Sequence, residues 1–247
     1  MANTAKTLTM EYTKSESITF DSNQLKLIAI AAMVFDHCMV VFVPHDLATY
    51  ELLRMPGRLT LPIMCFLIAQ GYRHTSNLRR YMGRLFAMAI VSHLPFTLCF
   101  GYNPLAFWQA TDVLWSLLLG LIALSIYLHQ GWGFIRKLFC IGLCCLLAYP
   151  ADWNYIAVLL VLLFGAFEGE KNQQTASHIA VWSLYEMQAI AYGTSMLSKI
   201  GFLFSIPLLR RYNGQRGPKS KLIQWGFYWF YPTHLLLLFA VKELLGQ

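Results

Sequence analysis

LKLIAIAAMVFDHCMVVFV, residues 25–43, is the stretch whose reading decides the fold. It is about as long as one bilayer crossing by an α-helix, roughly 20 residues. Lys26 stands at its start, but Asp36 and His37 sit about two thirds of the way along. Ionisable side chains at that depth cost several kcal/mol, about 3 or more at the bilayer centre, unless they face a bundle interior or a polar cavity. The stretch therefore reads as a membrane-spanning helix with one face turned to protein or to a cavity.

The rest of the chain agrees. Mean hydropathy is +0.49, with 57% hydrophobic and 13% charged residues, which places the chain outside the soluble class. Apolar runs recur along almost the whole length. They are continuously apolar and longer than the roughly ten-residue alternating segments of a closed β-barrel. The expected fold is all-α: a polytopic integral membrane bundle of about nine transmembrane helices. The segments are 25–43, 58–72, 82–101, 112–128, 134–149, 153–167, 178–192, 196–209 and 225–245. Residues 1–24 read as a polar cytoplasmic segment with no cleavable signal pattern, and residues 25–247 as a single transmembrane domain.

Basic residues orient the bundle. With the N-terminus inside, the inner segments hold Lys6, Lys14 and Lys26, then Arg73, Arg79, Arg80 and Arg84. They also hold Arg136, Lys137, Lys171, Arg210, Arg211, Arg216, Lys219 and Lys221. The outer side keeps only Arg54, Arg58, Lys199 and Lys242 of the 19 Lys and Arg. The expected topology is N-in, C-out. A net charge of +7 would suit nucleic acid, but the basic residues follow membrane sidedness and do not form one soluble surface, so no nucleic-acid partner is expected.

Against this background a few polar residues could carry chemistry. A carboxylate can fix the tautomer of a neighbouring imidazole and suit it to act as a general base. Adjacent helix positions project about 100° apart, however, so Asp36 has two readings: a partner to His37, or an ion pair with another helix, with Arg58 as one candidate. Arg58 itself reads as an interfacial arginine or as an anion partner in the same cavity. His93 is a hydrogen-bonded packing residue or a cavity group, and Asp112 and Asp152 suit helix N-termini. Glu186 lies within a weak apolar run and needs a partner. Near the C-terminus, Tyr231-Pro232-Thr233-His234 predicts a kink that turns His234 toward a cavity. The six cysteines lie in apolar runs without zinc-type spacing, so no metal is expected. No phosphate loop, GxSxG elbow, HExxH or haem-attachment sequence is present.

Three stretches together resemble the TraX family, membrane proteins of conjugative plasmids that acetylate the N-terminus of pilin subunits. The first is residues 25–37, ending in Asp36-His37. The second runs from Arg58 through Leu61-Pro62, Phe66 and Gln70-Gly71-Tyr72 to Arg79-Arg80-Tyr81 and Arg84-Leu85, then Ser92-His93-Leu94-Pro95-Phe96. The third is Phe230-Tyr231-Pro232-Thr233-His234-Leu235. The middle of the chain matches mainly as hydrophobic segments, with Ala151-Asp152 as its pointed feature.

The resemblance implies a bacterial inner-membrane, multi-pass acetyltransferase that takes acetyl-CoA as donor and a pilin or pilin-like polypeptide as acceptor. It makes His37 the base, with Asp36, Arg58, His234 and Asp152 around it. Arg80, Arg84 and Tyr231 become candidate donor contacts, and His93 and Asp112 further polar groups of the cavity. The chemistry fits these residue types, since acyl transfer to an amine needs a base and a group that stabilises the oxyanion; Arg58, Tyr231 or His234 would supply the second. The rival readings are a glycan acyltransferase, a transporter with Asp36, His37 and Glu186 as a proton relay, and a haem or quinone carrier using His37, His93 and His234.

Overall fold

The computed structural model describes residues 18–46, 49–218 and 220–246. Most of the expected N-terminal segment, including Lys6 and Lys14, lies outside the described residues, as does Lys219. Among the described residues the fold is all-helical. In order it runs α1 (Ser22–Phe42), α2 (Tyr50–Arg54), a 3-10 turn (Pro56–Leu59), α3 (Thr60–His74), α4 (Leu78–Phe100) and α5 (Val113–Leu128). It continues with α6 (Phe134–Leu147), α7 (Asn154–Ala166), α8 (Lys171–Ala191), a 3-10 segment (Leu197–Phe204), α9 (Ser205–Arg210) and α10 (Lys221–Leu244). Extended pairing is limited to two isolated bridges, Phe20 with Tyr212 and Thr111 with Ala151. Ser22–Phe42, Tyr50–His74 and Leu78–Phe100 are each long and apolar enough to cross a membrane; Val113–Leu128 and Asn154–Ala166 are shorter apolar helices.

Local chemistry explains the helix starts. Asp21 and Gln24 form a reciprocal capping box, the Asp21 carboxylate accepting the Gln24 N–H at 2.8 Å and Gln24 Oε1 accepting the Asp21 N–H at 2.9 Å. The helix therefore begins at Ser22, ahead of the apolar run. Asn77 caps α4 through the Arg80 N–H at 2.9 Å, and Asp112 caps α5 through the Leu114 N–H at 2.8 Å. α4 ends at Gly101, whose φ of +74° is the left-handed cap that glycine accepts without strain.

Burial is concentrated on α3, α5 and α7. Leu61, Ile63, Leu121, Leu124, Leu160 and Phe164 are all fully enclosed. α6 is the opposite: only Cys144 is buried, while Ile135 and Phe139 are 81% and 71% exposed. An apolar face of that extent suits lipid contact. On the side where α1 begins, Phe20 and Asn213 exchange a backbone bond at 3.0 Å, and Ser22 Oγ meets Tyr212 Oη at 3.0 Å. These contacts hold the start of α1 against the segment that leads into α10.

Two expectations change. Segment 196–209 is not one helix but a 3-10 segment followed by the six-residue α9. The seventh helix starts at Lys171, where a polar first two turns escape any hydropathy reading; Lys171 Nζ caps the Arg210 carbonyl at 3.0 Å and Gln174 Nε2 reaches the Phe164 carbonyl at 2.9 Å. α10 is helical on both sides of Pro232.

Candidate functional site: a cavity with two unlike ends

A cavity of about 640 Å³ lies among α1, α3, α4, α5 and α10. At one end its wall carries Lys26, Arg80, Arg84 and Arg216, with Asn23, Asn77 and Gln224 between them. At the other it carries Asp36, His37, Arg54, Arg58 and Asp152. Met33, Met64, Leu67, Met88 and Leu117 line the stretch between. Along α1 the two levels, Lys26 and His37, are about 16 Å apart at 1.5 Å per residue. The carboxylates on the wall, Asp36 and Asp152, both belong to the His37 end.

His37 is held by a second histidine. His37 Nδ1 and His234 Nε2 are 2.9 Å apart, and their rings are within 4° of parallel with centroids 5.1 Å apart. His234 Nδ1 lies 3.0 Å from the Phe230 carbonyl, which can only accept. That bond places the His234 proton on Nδ1 and leaves its Nε2 as an acceptor. In the neutral pair His37 therefore donates from Nδ1, and its Nε2 is the unprotonated nitrogen. Phe100 packs edge-on against the His37 ring at 5.4 Å. His234 itself is buried, 6% exposed, and stands behind His37, off the cavity wall. It positions the imidazole, and the expectation that it turns into the cavity is corrected.

Asp36 does not orient His37. Its carboxylate forms a two-bonded pair with Arg54, Nε to Oδ1 and Nη2 to Oδ2, both at 2.9 Å. Arg58 is not the partner that sequence suggested. The physical reason lies in the 3-10 turn: a Cβ on Gly57 would come within 2.2 Å of the Asp36 Cβ, so the glycine lets this turn close onto α1. Similarly, Gly201 of the second 3-10 segment leaves room for the Met55 carbonyl, which a Cβ would meet at 1.8 Å. Arg54 comes from the five-residue α2, which carries no hydropathy signal.

Arg58 is left free. Its guanidinium lies over the Trp153 ring at 5.4 Å, and its buried Nε has no hydrogen-bond partner among the described residues. Asp152 does not cap α7; the Asn154 carboxamide does that work, accepting the Ile156 N–H at 3.1 Å. The Asp152 side chain opens onto the cavity.

The remaining expected residues divide. Arg84 donates from Nε to Tyr228 Oη at 3.3 Å, so Tyr228, unremarked in the sequence reading, stands with Arg80 and Arg84. Tyr231 packs instead with Phe96 and Leu235 in the cluster next to His234, away from the basic end. His93 and Asp112 are off the cavity wall. His93 Nε2 bonds the Pro104 carbonyl at 3.0 Å and its ring stacks on Phe107 at 4.3 Å, which pins the loop after α4. Glu186 on α8 is also off the wall, and both its carboxyl oxygens lack a hydrogen-bond partner among the described residues.

The family model described as TraX protein matches residues 21–242. The "Probable fimbrial assembly protein FimC, serogroup H1" of Dichelobacter nodosus is 30% identical over 244 residues, covering 94% of this chain and 99% of that one. No solved structure matches.

Proposed function

The chain belongs to the TraX family, and on that premise we propose that it is an inner-membrane acetyltransferase that modifies a pilin or pilin-like subunit during pilus or fimbrial assembly. The observation that carries the reading is a single cavity that joins a four-cation mouth to a histidine whose Nδ1 is tied back and whose Nε2 is bare. A fimbrial assembly protein as a full-length relative sets the biological context.

In this reading about nine segments cross or enter the bilayer, N-in and C-out, and the basic mouth faces the cytoplasm. Lys26, Arg80, Arg84 and Arg216 would hold the phosphates of acetyl-CoA. The apolar waist accepts the pantetheine arm, and the distance of about 16 Å is one that such an arm bridges. The residues present fit that donor: cations at the phosphate end, where the nearby Asp21 carboxylate is engaged in capping α1, and a base at the far end. His37 Nε2 takes the proton from the acceptor amine, His234 fixes the imidazole, and Arg58 faces the oxyanion that forms on the acetyl carbonyl. Asp36 and Arg54 brace the 3-10 turn that carries Arg58.

The test uses purified protein in detergent, acetyl-CoA and a short peptide bearing a free amino terminus, with release of the CoA thiol and mass of the peptide as readouts. His37→Ala is expected to lower kcat by about 10²- to 10⁴-fold. Full activity in that variant, or no transfer by the wild type to any acceptor, would overturn the proposal.

A further inference from the structure

Two guanidiniums and two carboxylates share the His37 end of the cavity, and only half of them are paired. Arg54 occupies both oxygens of Asp36. Arg58 and Asp152 remain, and among the described residues no ion pair within 4.0 Å joins them. Each is held in place by something other than its charge. Arg58 lies on Trp153. The Asp152 N–H donates to the Thr111 carbonyl at 2.9 Å, the Thr111 N–H donates to the Pro150 carbonyl at 2.9 Å, and the Asn154 N–H donates to the Ala151 carbonyl at 2.8 Å. Backbone bonds thus fix the turn, and the carboxylate takes no part in them. Asp152 is open to the cavity and the buried Arg58 Nε has no partner, and the scaffold does not close the two onto each other. A cation and an anion held apart on one wall are complementary to a dipolar group placed between them.

We propose that Asp152 is the acceptor subsite, its carboxylate taking the ammonium of a primary-amine acceptor opposite Arg58. This rests on the acetyl-transfer reading and deepens it by assigning the residue that holds the acceptor amine. Once the ammonium has lost one proton to water, the amine nitrogen attacks the thioester carbonyl carbon. The C–N bond forms as the C=O π pair moves to oxygen. The adduct is a zwitterion, O⁻ facing Arg58 and N–H⁺ facing Asp152. His37 Nε2 removes a proton from that nitrogen, the C–O π bond re-forms, and the C–S bond breaks. The thiolate leaves and takes its proton from the His37 imidazolium, which restores the neutral pair with His234. A hydroxyl acceptor carries no positive charge before attack, so Asp152 gives it no grip. The site therefore selects amines over alcohols.

The experiment compares the wild type with Asp152→Asn and Asp152→Glu, using two probes. One is a short peptide with a free α-amine; the other is the same peptide with an α-hydroxyl in its place. Steady-state kinetics with acetyl-CoA are paired with donor-free equilibrium binding of each peptide. Asp152→Asn is expected to raise KM for the amine peptide about 10- to 100-fold, the range for loss of a charge-assisted bond, with kcat changed by less than about threefold. Donor-free binding of the amine peptide weakens in parallel, the hydroxyl peptide is unaffected, and Asp152→Glu recovers part of the loss. An Asp152→Asn variant that treats both peptides as the wild type does, or loses both alike, would overturn the subsite. If the wild type acetylates neither peptide, the transfer reading falls, and donor-free binding still decides the fate of the Asp152 subsite. The Asn variant keeps every backbone bond of its turn, and matching melting curves in detergent verify that it folds.

Discussion

The two ends of the cavity are built on opposite electrostatic plans. The mouth near Lys26 has four cations on its wall and no carboxylate, whereas the His37 end balances Arg54 and Arg58 with Asp36 and Asp152 around a pair of hydrogen-bonded histidines. Excess charge attracts a polyanion over a distance and depends little on geometry. Balanced, enclosed charge does the reverse: it attracts little from afar, but each group must be held at a set place, because a misplaced partner leaves a buried charge uncompensated. One end is suited to capture and the other to chemistry, and the two should fail differently under mutation.

The largest effect is expected where balance is broken. Arg54→Ala leaves the Asp36 carboxylate, only 12% exposed, without its partner, and should cost about 3–5 kcal/mol in unfolding followed in detergent by tryptophan fluorescence. The double variant Asp36→Asn with Arg54→Met should regain most of that loss; if it does not, the pair is more than a matched set of charges.

His234→Ala comes next. The protein should fold, but the His37 ring loses the acceptor that fixes its tautomer, and kcat should fall about 10- to 100-fold with donor KM little changed. His234→Gln, whose amide oxygen accepts from His37 Nδ1, should restore part of the rate and shift the acidic limb of the pH–rate profile. Loss of folding in both variants would make His234 a packing residue.

The smallest effect belongs to the mouth. Arg84→Gln should raise KM for acetyl-CoA by about three- to tenfold with kcat preserved, and the penalty should shrink as salt is added. A variant at the mouth that lowers kcat alone would break the division between capture and chemistry.

The sequence carried the helical plan well wherever an apolar run was long. The segments expected at 25–43, 82–101 and 112–128 are α1, α4 and α5 to within a few residues. It carried less where a helix is polar or short. α2 has five residues and no hydropathy signal, and the first turns of α8 are held by Lys171 and Gln174 bonds to distant carbonyls. Of the site, Asp36, His37, Arg58, Asp152, Arg80, Arg84 and Tyr231 were all legible as polar residues in or beside apolar runs, and all lie on one cavity wall. The basic loop that holds Arg216 was legible as a candidate for CoA phosphates, whereas Arg54, Lys26 and Tyr228 were not singled out for the site, because as single residues they look like ordinary loop or interfacial side chains.

The amino-acid sequence alone determined that this chain is helical, with helices long and apolar enough to cross a membrane, and it placed Asp36 and His37 inside one of them, where ionisable groups need a reason to be. Those conclusions follow from the cost of placing polar groups in hydrocarbon, which depends on residue type and position along the chain. Pairing was decided only by the tertiary structure. Neighbours on a helix point about 100° apart, so Asp36 turned to Arg54 on the next segment while His37 turned to His234, nearly the whole chain away. Whether a charge is matched or left free depends on what the fold brings opposite it, and that is why Arg58 and Asp152 emerged as an open pair only in three dimensions.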